Sequence, residues 1–236
     1  IGAIDGPTSI YVSNKLAPEL VAPITVAAYS YMSLVPIIMP PIMRVLTTQK
    51  ERAIKMPYTS REISQRTRIL FPIIVTIVVG TLVPFATPLI GMLMLGNLMR
   101  ESKVVERLTG AASNELANVV TLFLGLAIGS TMVGASFINV ATLMILVLGL
   151  VAFCLDTIMG VLFGKLMNVF SGGKFNPLIG AAGISAFPMA ARVVQKEAQR
   201  ENFDNFILMH AMGANAAGQV ASVVAGGVLL ALMGAS

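Results

Sequence analysis

Residues 139–164 run on with a single charged side chain, Asp156, and further stretches of the chain are nearly as apolar. A run of about 20 apolar residues is long enough to cross a hydrocarbon core as a helix. Several in one chain point to an integral membrane protein. The composition agrees: 56% of the residues are hydrophobic and 11% charged, with a mean hydropathy of +0.84, whereas ordinary globular domains carry roughly 25% charge. Barrel strands would alternate with period two, so runs of this length indicate helices. The formal net charge is +5, but nucleic acid is a poor explanation. Arg44, Lys50, Arg52, Lys55, Arg61, Arg66 and Arg68 lie together, as basic residues do in a cytoplasmic loop. Cys154 is the single cysteine and lies in an apolar run; disulfides and cysteine metal sites are out, and it reads as packing.

Taken as spans, the chain predicts a first helix over 18–43, with Tyr29, Ser30, Tyr31 and Ser33 as a polar patch. Those groups serve either helix packing or a site. The basic loop 44–68, which also holds Glu51 and Glu62, follows on the cytoplasmic side. Its charges could dock an acidic partner, although topology alone explains them. Residues 69–83 and 89–99 flank PFATP as a hairpin with both ends inside. A short interfacial helix is expected over 103–114, an outward span over 116–135 and a return over 139–167. Asp156 and Lys165 then sit roughly 13 Å apart along one helix, too far for a direct pair. The last span, 205–235, carries His210, Asn215 and Gln219. Gly213, Gly218, Gly226 and Gly227, with Ala216 and Ala217, allow close packing there. His210 suits proton handling by its ordinary pKa, but a boundary residue is the simpler reading. The abrupt Ile1 reads as an interior point, making this a C-terminal portion of something longer in one integral membrane domain, 1–236.

Two segments break the pattern. Asp5 is an acid in apolar surroundings, followed by Gly6-Pro7, through which a helix cannot run smoothly, so that carbonyls near Asp5 lose their partners. A loop in water is the bland reading, and a cation or proton site is the functional one, since intramembrane acids mark ion pathways. The second segment, 176–192, is NPLIGAAGISAFPMAAR. Pro177 and Pro188 interrupt it, Gly180 and Gly183 loosen it, and Asn176, Ser185 and Arg192 are polar. Irregular backbone at membrane depth survives only where protein or trapped water surrounds it. The stretch 176–190 reaches about 22 Å as a helix, short of a roughly 30 Å core. Charged residues flank it on what must be the same side, so a re-entrant hairpin is expected. Paired broken segments near mid-membrane are the pattern of inverted-repeat, ion-coupled transporters. The expected fold is therefore an all-α polytopic membrane protein with discontinuous and re-entrant helices. In this reading Asp5 holds a cation or proton, and Asn176 and Ser185 add oxygen ligands. Arg192 holds a carboxylate or repels a cation at the exit. A buried Asp5–Arg192 salt bridge is the structural alternative. The residues alone stop at an ion-coupled transporter or pump.

The blocks IDGPTSIYVSNKLAPEL, VAAYSYMSLVPIIMPPIMR, GNLMRESKVVERL, NPLIGAAGISAFPMAARV and LMHAMGANAAGQV resemble those of one family. It is the beta subunit of the sodium-pumping biotin-dependent decarboxylases acting on oxaloacetate, methylmalonyl-CoA, glutaconyl-CoA or malonate. The resemblance covers the whole chain, and family members extend further at the N-terminus. It implies a translocase-type enzyme subunit of the bacterial cytoplasmic (inner) membrane that decarboxylates carboxybiotin, exports sodium and consumes a proton. Carboxybiotin would be presented by a partner and not bound covalently to this chain. The implied partners are a carboxyltransferase alpha subunit, a biotin carrier subunit and a small gamma/delta membrane subunit; nucleic acid is not among them, and the resemblance leaves room for a homo-oligomer. By the same resemblance Asp5 is the sodium ligand and proton carrier. Tyr31, Asn176, Gly180, Ser185 and Arg192 match the family's other functional positions. A sodium-coupled secondary transporter of a carboxylate is the alternative function.

Overall fold

A computed structural model of the chain describes residues 5–57, 63–132, 134 and 138–234. The expectations placed on Ile1, on Arg61 and Glu62 of the basic loop, and on the outermost residues of the spans 116–135 and 205–235 lie outside these. Every regular element among the described residues is helical. In order they are α1 (Gly6–Leu16), α2 (Val21–Leu46), α3 (Gln49–Arg52), α4 (Gln65–Leu82), α5 (Thr87–Ser102), α6 (Glu106–Ala111), α7 (Ala117–Thr131), α8 (Val140–Phe170), α9 (Leu178–Ala181), α10 (Met189–Glu201) and α11 (Leu208–Leu232). Helices over Pro18–Leu46, Gln65–Leu82, Glu106–Ser130, Val140–Phe170 and Leu208–Leu232 are long and apolar enough to cross a membrane. The protein is thus an all-α, multi-pass membrane protein. Leu70, Phe71, Ile74, Ile77 and Val78 of α4 and Leu122, Phe123 and Leu126 of α7 are exposed. Water would not tolerate so much contiguous apolar surface, and lipid does.

α2 keeps three internal prolines, Pro36, Pro40 and Pro41, because neighbouring helices can compensate for lost main-chain bonds in a membrane bundle. Its buried face is an i+4 stripe of Ala27, Tyr31, Val35, Met39 and Met43. This stripe enters the main core with Phe153 and Val161 of α8 and with Leu178, Ala186 and Val194. A smaller core of Ala86, Ile90, Met94 and Val223 joins the α4–α5 hairpin to α11. The interfacial helix expected over 103–114 is not separate. α6 continues through a π-helical turn, Ala112–Leu116, into α7, and the whole of Glu106–Ser130 qualifies as one span. The charges of Glu106, Arg107 and Glu115 mark one end of that helix, not an element of their own.

The 176–192 segment is held by main-chain contact. α8 ends at Phe170, and Gly172 and Gly173, at φ 64° and 83°, reverse the chain in a left-handed cap. A single helical turn, α9, follows, then an irregular stretch, then α10. A Cβ on Gly160 of α8 would lie 2.5 Å from the Gly180 carbonyl oxygen, and one on Gly164 would meet the Pro177 carbonyl group. One on Gly218 of α11 would lie 2.7 Å from the Gly183 carbonyl carbon. The segment is therefore sandwiched between α8 and α11 at a spacing that only glycine permits. Gly226 and Gly227 are also crowded, by Thr8 and Ala86, whereas Gly213 has nothing within 4 Å of its Cβ position. Its predicted packing role is not realised among the described residues.

Gly164→Leu is expected to cost about 3 kcal/mol or more, because the obstacle is backbone and cannot swing away. Gly213→Ala should be neutral or gain about 0.5–1 kcal/mol in helix propensity. Thermal unfolding midpoints of the complete protein in detergent would separate the two, and equal behaviour would refute the packing described.

Candidate functional site

Asp5 starts α1 as its N-cap. One carboxylate oxygen accepts the Thr8 main-chain N–H at 3.0 Å, and Pro7 occupies the first turn, where its missing N–H costs nothing. Of the carbonyls expected to be freed near Asp5, those of residues 1–4 lie outside the described residues, and that of Asp5 itself is not freed. The pair begins a helix, and the Asp5 carbonyl takes the Ser9 N–H at 2.9 Å. The second carboxylate oxygen of Asp5 accepts the Ser222 hydroxyl of α11. Asp5 is 3% exposed. Beside it, the Thr8 and Ser9 hydroxyl oxygens are buried and have no hydrogen-bond partner among the described residues.

α11 is the element that brings the two broken segments together. The Asn215 amide donates to the Ile184 carbonyl at 2.5 Å. Gly218 meets the Gly183 backbone, Ser222 reaches Asp5, and Gly226 receives Thr8 and Val12 of α1. Residues 215, 218, 222 and 226 share one helix face. Gly218 and Ser222 are about 6 Å apart along the axis, so the tip of the 176–192 segment and the start of α1 approach that closely along it. That tip lies about 15 Å along α11 from Leu208. Beside the tip, where α8, the segment and α11 meet, is a cavity of about 390 Å³, lined by Ser222 and Gly218 of α11, Gly180 and Gly183 of the segment, and Asp156 and Gly160 of α8. No three His, Cys, Asp or Glu side chains converge among the described residues. A cation here would be held by a carboxylate with hydroxyl and main-chain oxygens, the hard donors that suit sodium.

The remaining predicted residues are spread out. Gly180 lines the cavity, and Ser185 is buried in the turn between α9 and α10. Tyr31 gives its hydroxyl to the Leu146 carbonyl and lays its ring on Gly149 of α8. The tyrosine over the start of α1 is Tyr29, whose ring covers Gly6. Asn176 is fully buried at the basic end of the bundle. Its amide donates to the carbonyls of Arg52 and Ile54 at 3.0 and 2.9 Å, and its oxygen accepts the Leu178 N–H at 3.1 Å. This conformation does not bring it to Asp5. Arg192 is exposed and forms no ion pair among the described residues, so the Asp5–Arg192 bridge is absent. Sequence reasoning gave Asp156 no role and missed Ser222 and the Gly160–Gly164 pair. The GxxxG spacing could have flagged the glycines; Ser222 carried no signal beyond being a hydroxyl in an apolar span.

The basic end is an internal lock. Arg44 grips Glu197 in two bonds of 2.7 and 3.1 Å, Arg52 reaches Glu201 at 2.7 Å, and Lys165 pairs with Glu51 at 3.4 Å. Asn205 repeats the Asn176 bonds to Arg52 and Ile54, both at 3.1 Å. Both ends of the 176–201 segment are therefore tied to Arg52. Partial burial pushes the Glu51 carboxyl up, but the Thr48 N–H and hydroxyl and the Lys165 ammonium together outweigh it and hold the group below its ordinary value.

The chain matches the family profile described as Na+-transporting oxaloacetate decarboxylase beta subunit over residues 1–233. It is similar to the oxaloacetate decarboxylase beta chain of Klebsiella pneumoniae, 57% identical over 230 residues, covering 98% of this chain and 53% of that one. It is also similar to the methylmalonyl-CoA decarboxylase subunit beta of Propionigenium modestum, 56% identical over 234 residues, covering 99% and 59%. The same subunit of Veillonella parvula is 54% identical over 233 residues, covering 99% and 62%. The chain spans about half the length of the curated relatives it matches.

Replacing Asn176 or Asn205 alone by alanine leaves each carbonyl one donor and should cost about 1–2 kcal/mol. Replacing both strips the carbonyls, so the double loss should exceed the sum of the singles by about 0.5 kcal/mol or more. A thermal-stability cycle on the complete protein reads this, and strict additivity would contradict the shared clamp. Glu51, lowered when folded, contributes stability that is present above its unfolded value and lost as pH falls through the folded one. The stability difference between wild type and Glu51→Gln should thus be full at pH 7 and shrink below about pH 4; a difference that stays constant on acidification would refute the assignment.

Proposed function

The chain belongs to the beta-subunit family of Na+-transporting oxaloacetate decarboxylases, and from that membership we propose that the complete protein decarboxylates carboxybiotin and exports sodium with consumption of a proton. The carrying observation is Asp5, a buried carboxylate in a membrane bundle, fixed by the Thr8 N–H and the Ser222 hydroxyl beside an open cavity. Sodium is the cargo in this reading. Asp5 is its ligand, and the buried hydroxyls of Thr8 and Ser9 are suitable further donors. Gly180 and Ser185 form the facing wall and turn of a re-entrant hairpin that lets the ion reach Asp5. The two ends of 176–201 tied to Arg52 support that hairpin. Tyr31 and Asn176 act by position, Tyr31 by fixing α2 to α8 and Asn176 by clamping the hairpin's entry.

Carboxybiotin, brought by a biotin carrier and charged by a carboxyltransferase, is the proposed substrate, with a small gamma/delta subunit completing the complex in the bacterial inner membrane. Loss of CO2 breaks an N–C bond and leaves its electron pair on the ureido nitrogen, which must then take up a proton. A proton displaced from Asp5 as sodium binds would supply it. Arg192 is exposed and carries a permanent charge, which suits it to attract and hold the incoming carboxylate.

The test reconstitutes the complete complex in vesicles and follows labelled sodium and CO2 together after adding the carboxylated substrate. Wild type should move sodium in step with CO2 release. Asp5→Asn should lose both by about 100-fold or more, and Arg192→Lys should slow CO2 release about 10-fold through lost bidentate contact. Sodium movement without CO2 release would instead favour a secondary carboxylate transporter. Normal rates in Asp5→Asn would refute the role of Asp5.

A further inference from the structure

Asp156 has no part in that scheme, yet it is the charged side chain of the cavity. Of the residues lining the cavity among those described, Ser222 is the one hydroxyl, and the others are glycines, alanines, Ile184 and Phe163. One carboxylate oxygen of Asp156 is buried with no hydrogen-bond partner among the described residues. An ionised oxygen left in apolar surroundings without a donor is costly, and native interiors seldom leave one. The obvious cation on its own helix, Lys165, is engaged with Glu51 at 3.4 Å. Among the described residues the neighbours of α8 offer no substitute. Tyr31 of α2 gives its hydroxyl to Leu146, and the cavity-lining residues of the 176–192 segment and α11 carry no charge.

Asp156, Gly160 and Gly164 form an i+4 stripe, so the acid sits on the same face as the glycines that admit the segment's backbone. Across the cavity, Ser222 already touches Asp5. A buried carboxylate oxygen without a partner among the described residues and a cavity lined by Ser222, the partner of Asp5, therefore coincide at Asp156. We propose that Asp156 is a second site for a small monovalent cation, H+ or Na+, on the α8 wall of the cavity, reached from Asp5 past Ser222. It rests on the proposed function only for the expectation that sodium is among its occupants. The two acids then mark two stations of one path, with Ser222 between them.

The experiment uses the complete subunit in its complex, with two readouts that need no turnover. The first is equilibrium binding of labelled sodium to wild type, Asp156→Asn and Asp5→Asn. The second is modification of wild type by a hydrophobic carbodiimide, which attacks protonated carboxyls, mapped by peptide mass with and without sodium. Asp156→Asn is expected to weaken one bound sodium by about 10-fold or more while Asp5→Asn keeps it. Asp156 in wild type is expected to be modified, more slowly when sodium is present. Modification that sodium does not slow, with normal sodium binding in Asp156→Asn, assigns the site to the proton alone. Lost sodium binding without modification assigns it to sodium alone. An unmodified Asp156 together with wild-type sodium binding in Asp156→Asn overturns the proposal. If Asp156→Asn fails to fold, Asp156→Ser takes its place in the sodium-binding arm, with the same outcomes. Failure of wild type to couple sodium to CO2 release would count against the pump and leave these readouts intact.

Discussion

The hydrogen bond from Asn215 to the Ile184 carbonyl, with the backbone contact of Gly183 on Gly218 beside it, is the interaction on which the rest of this structure depends. A chain that breaks its helix inside an apolar bundle releases main-chain groups that lipid cannot satisfy. Here α11 supplies an amide donor and a bare glycine surface at the point where the 176–192 segment is irregular. α8 supplies Gly160 and Gly164 on the other side. Without those bare faces the segment would be pushed out, and the cavity lined by Asp156, Gly180 and Ser222 would have no floor.

The basic end serves the same purpose by other means. Arginines would be expensive near hydrocarbon, yet Arg44 and Arg52 are both paired. Arg52 is buried, donates to the Thr47 carbonyl at 2.5 Å and pairs with Glu201, while its own carbonyl receives both Asn176 and Asn205. One residue thus ties the entry and exit of the irregular segment to the end of α2. Clustered positive charge is what the positive-inside rule expects of a cytoplasmic face, and the same side chains fasten the segment. Removing one partner of such a buried pair leaves an uncompensated charge, so the lock resists opening at its centre more than at its exposed rim.

Between lock and tip, α11 carries the functional geometry on a single face. Asn215, Gly218, Ser222 and Gly226 meet, in turn, the segment's carbonyl, its backbone, Asp5 and α1. A small rotation of α11 would alter all four contacts together. In the proposed pump this makes α11 the natural place for ion binding at Asp5 to be felt by the segment that faces the basic end.

The sequence by itself determined the membrane class, most of the spans and the position of the irregular 176–192 segment. Apolar length, proline and glycine act locally and need no partner to be read. It misjudged 103–114, because charge at one end of a helix looks like a boundary when the continuing apolar face is not weighed. Nor could it tell which tyrosine faces which neighbour: residues two apart on a helix point about 200° apart, so Tyr29 covers Gly6 while Tyr31 lies on Gly149. Only the tertiary structure decided which groups meet. Ser222 and Asp5 are 217 positions apart, and Asn176 and Arg52 are 124 apart. No local propensity encodes such a pairing. It follows from which glycines let two backbones touch, and a glycine that is crowded reads the same in sequence as one that is not.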